Sequence, residues 1–183
     1  MSYPGYRCMD TNIILTFTGA DRIGIVEEVT RLLLNRGSNV EVSHMAHLAS
    51  EFAILMLVSL PSEQLAGLET DLQSLIAQGY KVTTTRTKQT DAHAHPGWRP
   101  YQIAVRGADQ EGIVHEIARI MREQGINIEF MDMHVAQAPV SGSPLFNMKG
   151  VVAVPPSLAG QSWETALIAV GNRLNVDVTV TPA

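Results

Sequence analysis

The chain has 183 residues, 45% of them hydrophobic and 17% charged, and its 13 Lys and Arg against 18 Asp and Glu leave a net charge of −5. That composition belongs to a soluble globular protein, and the acidic balance, with an isoelectric point near 5.6, argues against direct nucleic-acid binding. The longest apolar run, residues 52–58, falls short of the roughly 18 residues of a membrane span; the lone Cys8 excludes an internal disulfide and a Cys-rich zinc site.

Residues 12–18, rich in β-branched and aromatic side chains, read as a strand. Residues 24–36 read as a helix, because Ile25, Val29, Leu32, Leu33 and Arg36 recur at the spacing that lays one stripe along a helix. Gly37 is placed to end it in the left-handed conformation. Residues 39–48 alternate and read as a strand; a turn at Ala49-Ser50 leads into another at 51–60. Pro61-Ser62 opens a helix running to about Gln78, with Leu65, Leu68, Leu72, Leu75 and Ile76 as its stripe. Gly79 ends it, and 80–87 form a last strand. The order is βαββαβ.

The same order follows again. A strand at 101–106 precedes a helix at 112–124 carrying Ile113, Ile117, Ile120 and Met121. Strands near 127–137 and 145–154, a helix near 158–173 and a strand at 176–181 complete it. Between the middle strands, 138–144 contains Pro and Gly and marks an exposed hairpin. We therefore expect a first domain at 10–88, a polar linker at 89–100 with Pro96, Gly97 and Pro100, and a second domain at 101–183.

The two halves match residue for residue at an offset of 88. Gly19-Ala20-Asp21-Arg22-Ile23-Gly24-Ile25-Val26 returns as Gly107-Ala108-Asp109-Gln110-Glu111-Gly112-Ile113-Val114, and 12 of the 34 positions from 12 to 45 are identical. A period this long exceeds the units of a solenoid, about 20–50 residues, and points to a duplicated domain. A βαββαβ chain implies α+β architecture: a ferredoxin-like antiparallel sheet with helices on one face. The strand at 52–58 is apolar at every position, so we expect both its faces to be covered, by the other domain or by a second chain as in a homodimer.

What repeats best is a strand–loop–helix corner, and there the chemistry is sought. Amides at a helix start are unsatisfied and attract anions. Gly19-x4-Gly24 and Gly107-x4-Gly112 have the glycine spacing of a phosphate loop, but Ile25 and Ile113 stand where that motif needs Lys, so a small carboxylate fits better than a nucleotide. Asp21 and Asp109 read either as helix N-caps or as ligand groups; Gly24 and Gly112 either as close-packing positions or as access for a ligand. Asn39 and Asn127 either complete the turn after the helix-ending glycine or lend an amide to the ligand. Arg22 adds positive charge at the first corner, whereas Glu111 adds negative charge at the second, so the first corner is expected to bind more strongly. His44 and His47 lie three apart in a strand and face opposite ways, a poor metal pair. His93 and His95 fall in the linker; His115 and His134 are isolated. No nucleophile-and-base motif is present, so neither catalysis, metal nor cofactor is expected.

The βαββαβ order, with Asp-x-x-Gly-Ile-Val opening the first helix and Gly-x-Asn-Val/Ile-Glu entering the second strand, resembles the ACT domain. The run from Gly19 to Val26, with Asn39-Val40-Glu41 and Glu51-Phe52, is similar to the glycine-cleavage-system transcriptional repressor family. The resemblance implies two tandem ACT domains that bind a small amino acid, glycine being one candidate, and regulate transcription by contacting an activator protein rather than DNA. Separately, the lone Cys8 and an N-terminus without the basic and apolar regions of a secretory signal lead us to expect a cytoplasmic setting. Ile23 stands where that family has Pro. The chemistry of the repeated corner places the ligand at Asp21, Arg22, Ile23, Gly24, Ile25 and Asn39, with a weaker second site expected at Asp109, Gly112, Ile113 and Asn127. The alternative partner is a metabolic enzyme for which the chain is the feedback-regulatory subunit.

Overall fold

The computed structural model describes residues 11–87, 95–139, 142–158 and 163–183. Cys8, His93 and residues 89–94 of the expected linker lie outside them. Two compact units stand on either side of residues 88–94.

The first unit runs β1 (Thr11–Ala20), α1 (Ile25–Asn35), β2 (Asn39–Leu48), β3 (Glu51–Leu60), α2 (Leu65–Ala77) and β4 (Lys81–Thr87). The second repeats the order as β5 (Arg99–Ala108), α3 (Ile113–Glu123), β6 (Asn127–Gln137), β7 (Pro144–Val154), α4 (Trp163–Arg173) and β8 (Val176–Pro182). Each forms a four-stranded antiparallel sheet, ordered β2-β3-β1-β4 and β6-β7-β5-β8. These are the two ferredoxin-like domains read from the sequence. Strand β5 begins at Arg99, within the stretch expected to be linker.

Alternation places each core on one side of its sheet. Ile13, Leu15 and Phe17 of β1 and Ile54, Met56, Val58 and Leu60 of β3 meet Ile25, Val29 and Leu33 of α1 and Leu65, Leu68, Leu72 and Leu75 of α2. Ile76, expected in that stripe, is 41% exposed, because it falls one position past Leu75 and rotates off the buried face. The second core repeats the scheme with Ile103, Val105, Ile113, Ile117 and Met121, and adds Trp163, edge-on to Tyr101 at 5.2 Å. Gly37, Gly79 and Gly125 all take positive φ at helix ends, as their positions predict.

Two elements differ in detail from their expected form. The helix expected from residue 61 opens as a short 3-10 turn, Ser62–Gln64, before α2; likewise a 3-10 turn, Pro156–Leu158, precedes α4, with 159–162 outside the described residues. Strand β2 is exposed along nearly its whole length despite its alternation, because it is a sheet edge. On β3, apolar at every position from 52 to 58, Leu55 is 46% exposed on the side away from the helices.

Edge strands β2 and β6 each carry a bulge. Glu41 is skipped between the pairs Val40↔Val58 and Val42↔Leu57, and Glu129 between Ile128↔Val152 and Phe130↔Val151. The extra residue reverses the alternation beyond it, so Met45 and His47 pair with Ile54 and Phe52 on the helix side of the sheet.

Candidate functional site

The corner forms where β1 ends and α1 begins. Asp21 donates its backbone N–H to the Ser50 carbonyl in the β2–β3 turn at 3.0 Å, and Asp109 does the same to Pro144 at 3.0 Å. Neither aspartate caps the helix. The N-caps are Gly24 and Gly112, with φ 89° in both and no side-chain cap bond in either. The N-cap reading of the aspartates fails because the helices start at Ile25 and Ile113, three residues later than a cap at Asp21 or Asp109 requires. The close-packing reading of the glycines fails as well: a Cβ built on Gly24 or Gly112 meets nothing within 4 Å. Glycine is needed there because the chain must pass through the left-handed region to turn from strand into helix, and the space in front of it is open.

Gly19 and Gly107 have the opposite constraint. A Cβ on Gly19 would lie 2.3 Å from Cδ1 of Tyr80, and one on Gly107 would lie 2.7 Å from Cγ1 of Val176 and 2.8 Å from the Asn175 carbonyl oxygen. These glycines let the residue after α2 or α4 close over the end of the sheet. Tyr80 is buried and stacks near Phe17 at 4.6 Å.

Arg22 is not a free charge. It forms an ion pair with Glu28 in α1, while its Nε donates to the Tyr80 hydroxyl at 2.9 Å and its Nη2 to Gln78 Oε1 at 3.1 Å. The hydrogen bond from Arg22, then one from Gln78, holds the Glu28 carboxyl below the ordinary carboxylate range, and the same bond raises Arg22 above the usual guanidinium value. The offset of 88 pairs Arg22 with Gln110, so Glu111 is the counterpart of Ile23, not of Arg22. Ile23 projects fully into solvent. Gln110 donates its side-chain N–H to the Leu174 carbonyl, which ends α4. The electrostatic argument for a stronger first corner therefore loses its cation.

Asn39 and Asn127 are not brought to the corners. Asn39 pairs with Ser59, whereas the corner end of β3 is Glu51, opposite Ala20. Eight residues of strand separate them, about 26 Å at roughly 3.3 Å per residue. Asn39 Nδ2 instead donates to Oε1 of the bulged Glu41 at 2.8 Å, joined by Ser59 Oγ at 2.6 Å. These two bonds, Ser59 first, lower the Glu41 carboxyl. Asn127 makes the same bond to Glu129. The Gly-x-Asn-x-Glu motif is a bulge clip.

The bulge contributes what sequence reasoning missed. It turns His47 toward the corner, where Nε2 lies 3.5 Å from Asp21 Oδ2. In the second domain Val135 occupies the position of His47, beside Met133 and Phe146. Together with Gly112, Ile113 and Val114 these residues line a concavity of about 470 Å³, within the roughly 300–1,000 Å³ of small-molecule sites. Among the described residues no group of three or more His, Cys, Asp or Glu is placed to hold a metal, and no helix is long and apolar enough to cross a membrane.

Comparison with known proteins follows this geometry. The family model described as the ACT domain matches residues 11–83, the first unit. The glycine cleavage system transcriptional repressor of Escherichia coli (strain K12) is 45% identical over 47 residues; the match spans 26% of this chain and about a quarter (25%) of that protein. A protein of unknown function from Galdieria sulphuraria has a solved structure that superposes with a TM-score of 0.82 at 32% identity, covering 94% of this chain and 98% of that one. A solved structure provisionally assigned as a glycine cleavage system transcriptional repressor aligns at 22% identity with a TM-score of 0.66, over 93% of this chain and 96% of that one, a likeness of fold. The first domain thus matches the ACT domain, the second repeats its motif, element order and sheet, and the chain is similar to the glycine cleavage system transcriptional repressors.

Proposed function

We propose that the chain is a non-enzymatic regulator that senses a small amino acid at its strand–helix corners and passes that state to a protein partner, a transcription activator. One observation carries the reading: twice in the chain a helix opens on an uncapped left-handed glycine with open space before it. A ligand carboxylate can approach the first-turn amides there without meeting a side chain, and Asp21 or Asp109 stands three residues before the glycine for its ammonium group. The ligand groups of the first corner are then Asp21, Ile23, Gly24 and Ile25, with His47 added and both Arg22, held by Glu28, Tyr80 and Gln78, and Asn39 removed. Those of the second are Asp109, Gly112 and Ile113, with Asn127 removed. Glycine is the first effector to try, since the similar repressors are named for the glycine cleavage system.

Calorimetry of the full chain against the twenty amino acids tests the sensing step. Gly24→Asn and Gly112→Asn are the informative variants, because Asn tolerates the left-handed conformation while its side chain fills the open space. Loss of binding in one of them, with the fold intact, assigns the corner. Unchanged binding in both removes the corners from consideration. Affinity capture from native cells tests the partner; recovery of a biosynthetic enzyme in place of a transcription factor would replace the activator with feedback control of that enzyme.

A further inference from the structure

The residue after each corner aspartate does the same mechanical task by different chemistry. In the first domain the Arg22 guanidinium reaches Gln78 and Tyr80, which follow α2 and enter β4. In the second, the Gln110 amide reaches the carbonyl of Leu174, which follows α4 and leads into β8. The chain turns through a left-handed residue at the same place in both, Gly79 with φ 96° and Asn175 with φ 50°. Two unrelated side chains thus span the same gap, from the corner loop to the turn before the last strand. Side-chain identity has changed between the copies and the connection has not.

We propose that Arg22 and Gln110 are positioning residues that tether the corner loop to the turn before β4 or β8, so that a displacement of the loop is carried to that turn. In the first domain the tether has a second anchor, Glu28 on α1, and lies over the Tyr80 ring at 5.8 Å. The tether makes the last strand, a free sheet edge in both domains, the part that registers what happens at the corner. It rests on the reading of the corners as ligand sites only for its use; the connection itself is a property of the unliganded chain.

Residue-by-residue amide hydrogen exchange on the full chain without ligand therefore tests it separately from any binding. Arg22→Ala is expected to speed exchange roughly tenfold at Asp21 and Ile25 and, in the same sample, at Gly79 and Tyr80, all four of which donate to backbone carbonyls, with the second domain unchanged. Gln110→Ala should do the same at Asp109 and Asn175, whose N–H groups donate to Pro144 and Asn172. Arg22→Gln, which installs the second domain's residue in the first, should restore most of the protection by reaching the backbone carbonyl of Gln78; a residue acting only through its charge would not be rescued. Tyr80→Phe removes one acceptor without disturbing the core and should give a smaller rise at Ile25. The proposal is overturned if Arg22→Ala leaves the turn as protected as in the wild type, or if Arg22→Gln exchanges like Arg22→Ala.

Discussion

In the first domain the corner loop is held by charge: Arg22 pairs with Glu28 and leans on the Tyr80 ring. In the second, Gln110 holds it through one neutral bond, and Glu116, the counterpart of Glu28, pairs instead with Arg119 and with Arg173 from α4. The sheet faces away from the helices diverge in the same way. Register sets Ile14, Ala53 and Leu55 of the first domain against Gln102, Asn147 and Lys149 of the second, so the first face is the more apolar at these three positions. What the copies share is backbone: the left-handed glycine, the aspartate amide on the hairpin, the bulge, the connection to the last turn. Duplication has kept the path of the chain and released the side chains along it.

The comparison can be broken most sharply at the cores. Trp163 is buried and edge-on to Tyr101; Trp163→Ala should cost about 3–5 kcal/mol and, if the halves are separate folding units, should melt the second domain first. Calorimetric unfolding decides this, and a single unchanged transition would contradict two independent cores.

A smaller effect separates the two packing glycines. Gly107→Ala drives a methyl against the Asn175 carbonyl, which is backbone and cannot step aside, whereas Gly19→Ala meets the Tyr80 ring. Overpacking of this kind costs about 1–3 kcal/mol, and denaturant titration should place Gly107→Ala at the high end. Gly19→Ala should be milder but should also disturb the Tyr80 hydroxyl that Arg22 uses.

Next comes the cap. Gly24→Val and Gly112→Val place a β-branched residue at φ 89° and should each cost at least about 1–2 kcal/mol, equally in the two domains, since neither meets a neighbour. A large difference between them would show that one corner is packed and not open.

The smallest expected effect is acid sensitivity. Among the described residues, hydrogen bonds from Arg22, Ser59 and Arg36 lower the carboxyls of Glu28, Glu41 and Asp71 in the first domain, and one from Arg119 lowers Glu116 in the second. A carboxyl whose folded value is lowered contributes stability above its unfolded value, near pH 4, and loses it as pH falls through the folded value. Both domains should hold at neutral pH and the first should soften earlier below about pH 4. Site-resolved NMR across that window would sharpen or erase the distinction.

Much of the fold was legible because it rests on periodicity. The stripes at Leu65, Leu68, Leu72 and Leu75 and at Ile113, Ile117 and Met121 follow the helical repeat, and Gly37, Gly79 and Gly125 stop their helices where glycine is the residue that fits. The site was legible in its location and not in its parts. That Gly24 matters could be read from its recurrence, but its open surroundings depend on where α1 begins, a backbone detail no side chain announces. The role of Arg22 lies in Gln78 and Tyr80, more than fifty residues away in sequence. Asn39 was drawn to the corner by its recurrence, and register carries it to the far end of the sheet. The bulge was missed because Val-Glu-Val reads as plain alternation.

That bulge works like a shift of reading frame written in space. Upstream of Glu41 the strand is read in one phase; downstream every residue is read in the other, and so Met45 and His47, not His44 and Ala46, look toward the corner. A one-residue deletion at Glu41, far from the corner along the strand, would therefore exchange the whole set of side chains that the corner sees. Length, and not only identity, is information in this strand, and the Asn39–Glu41 clip, repeated at Asn127–Glu129, is the punctuation that keeps both copies in frame.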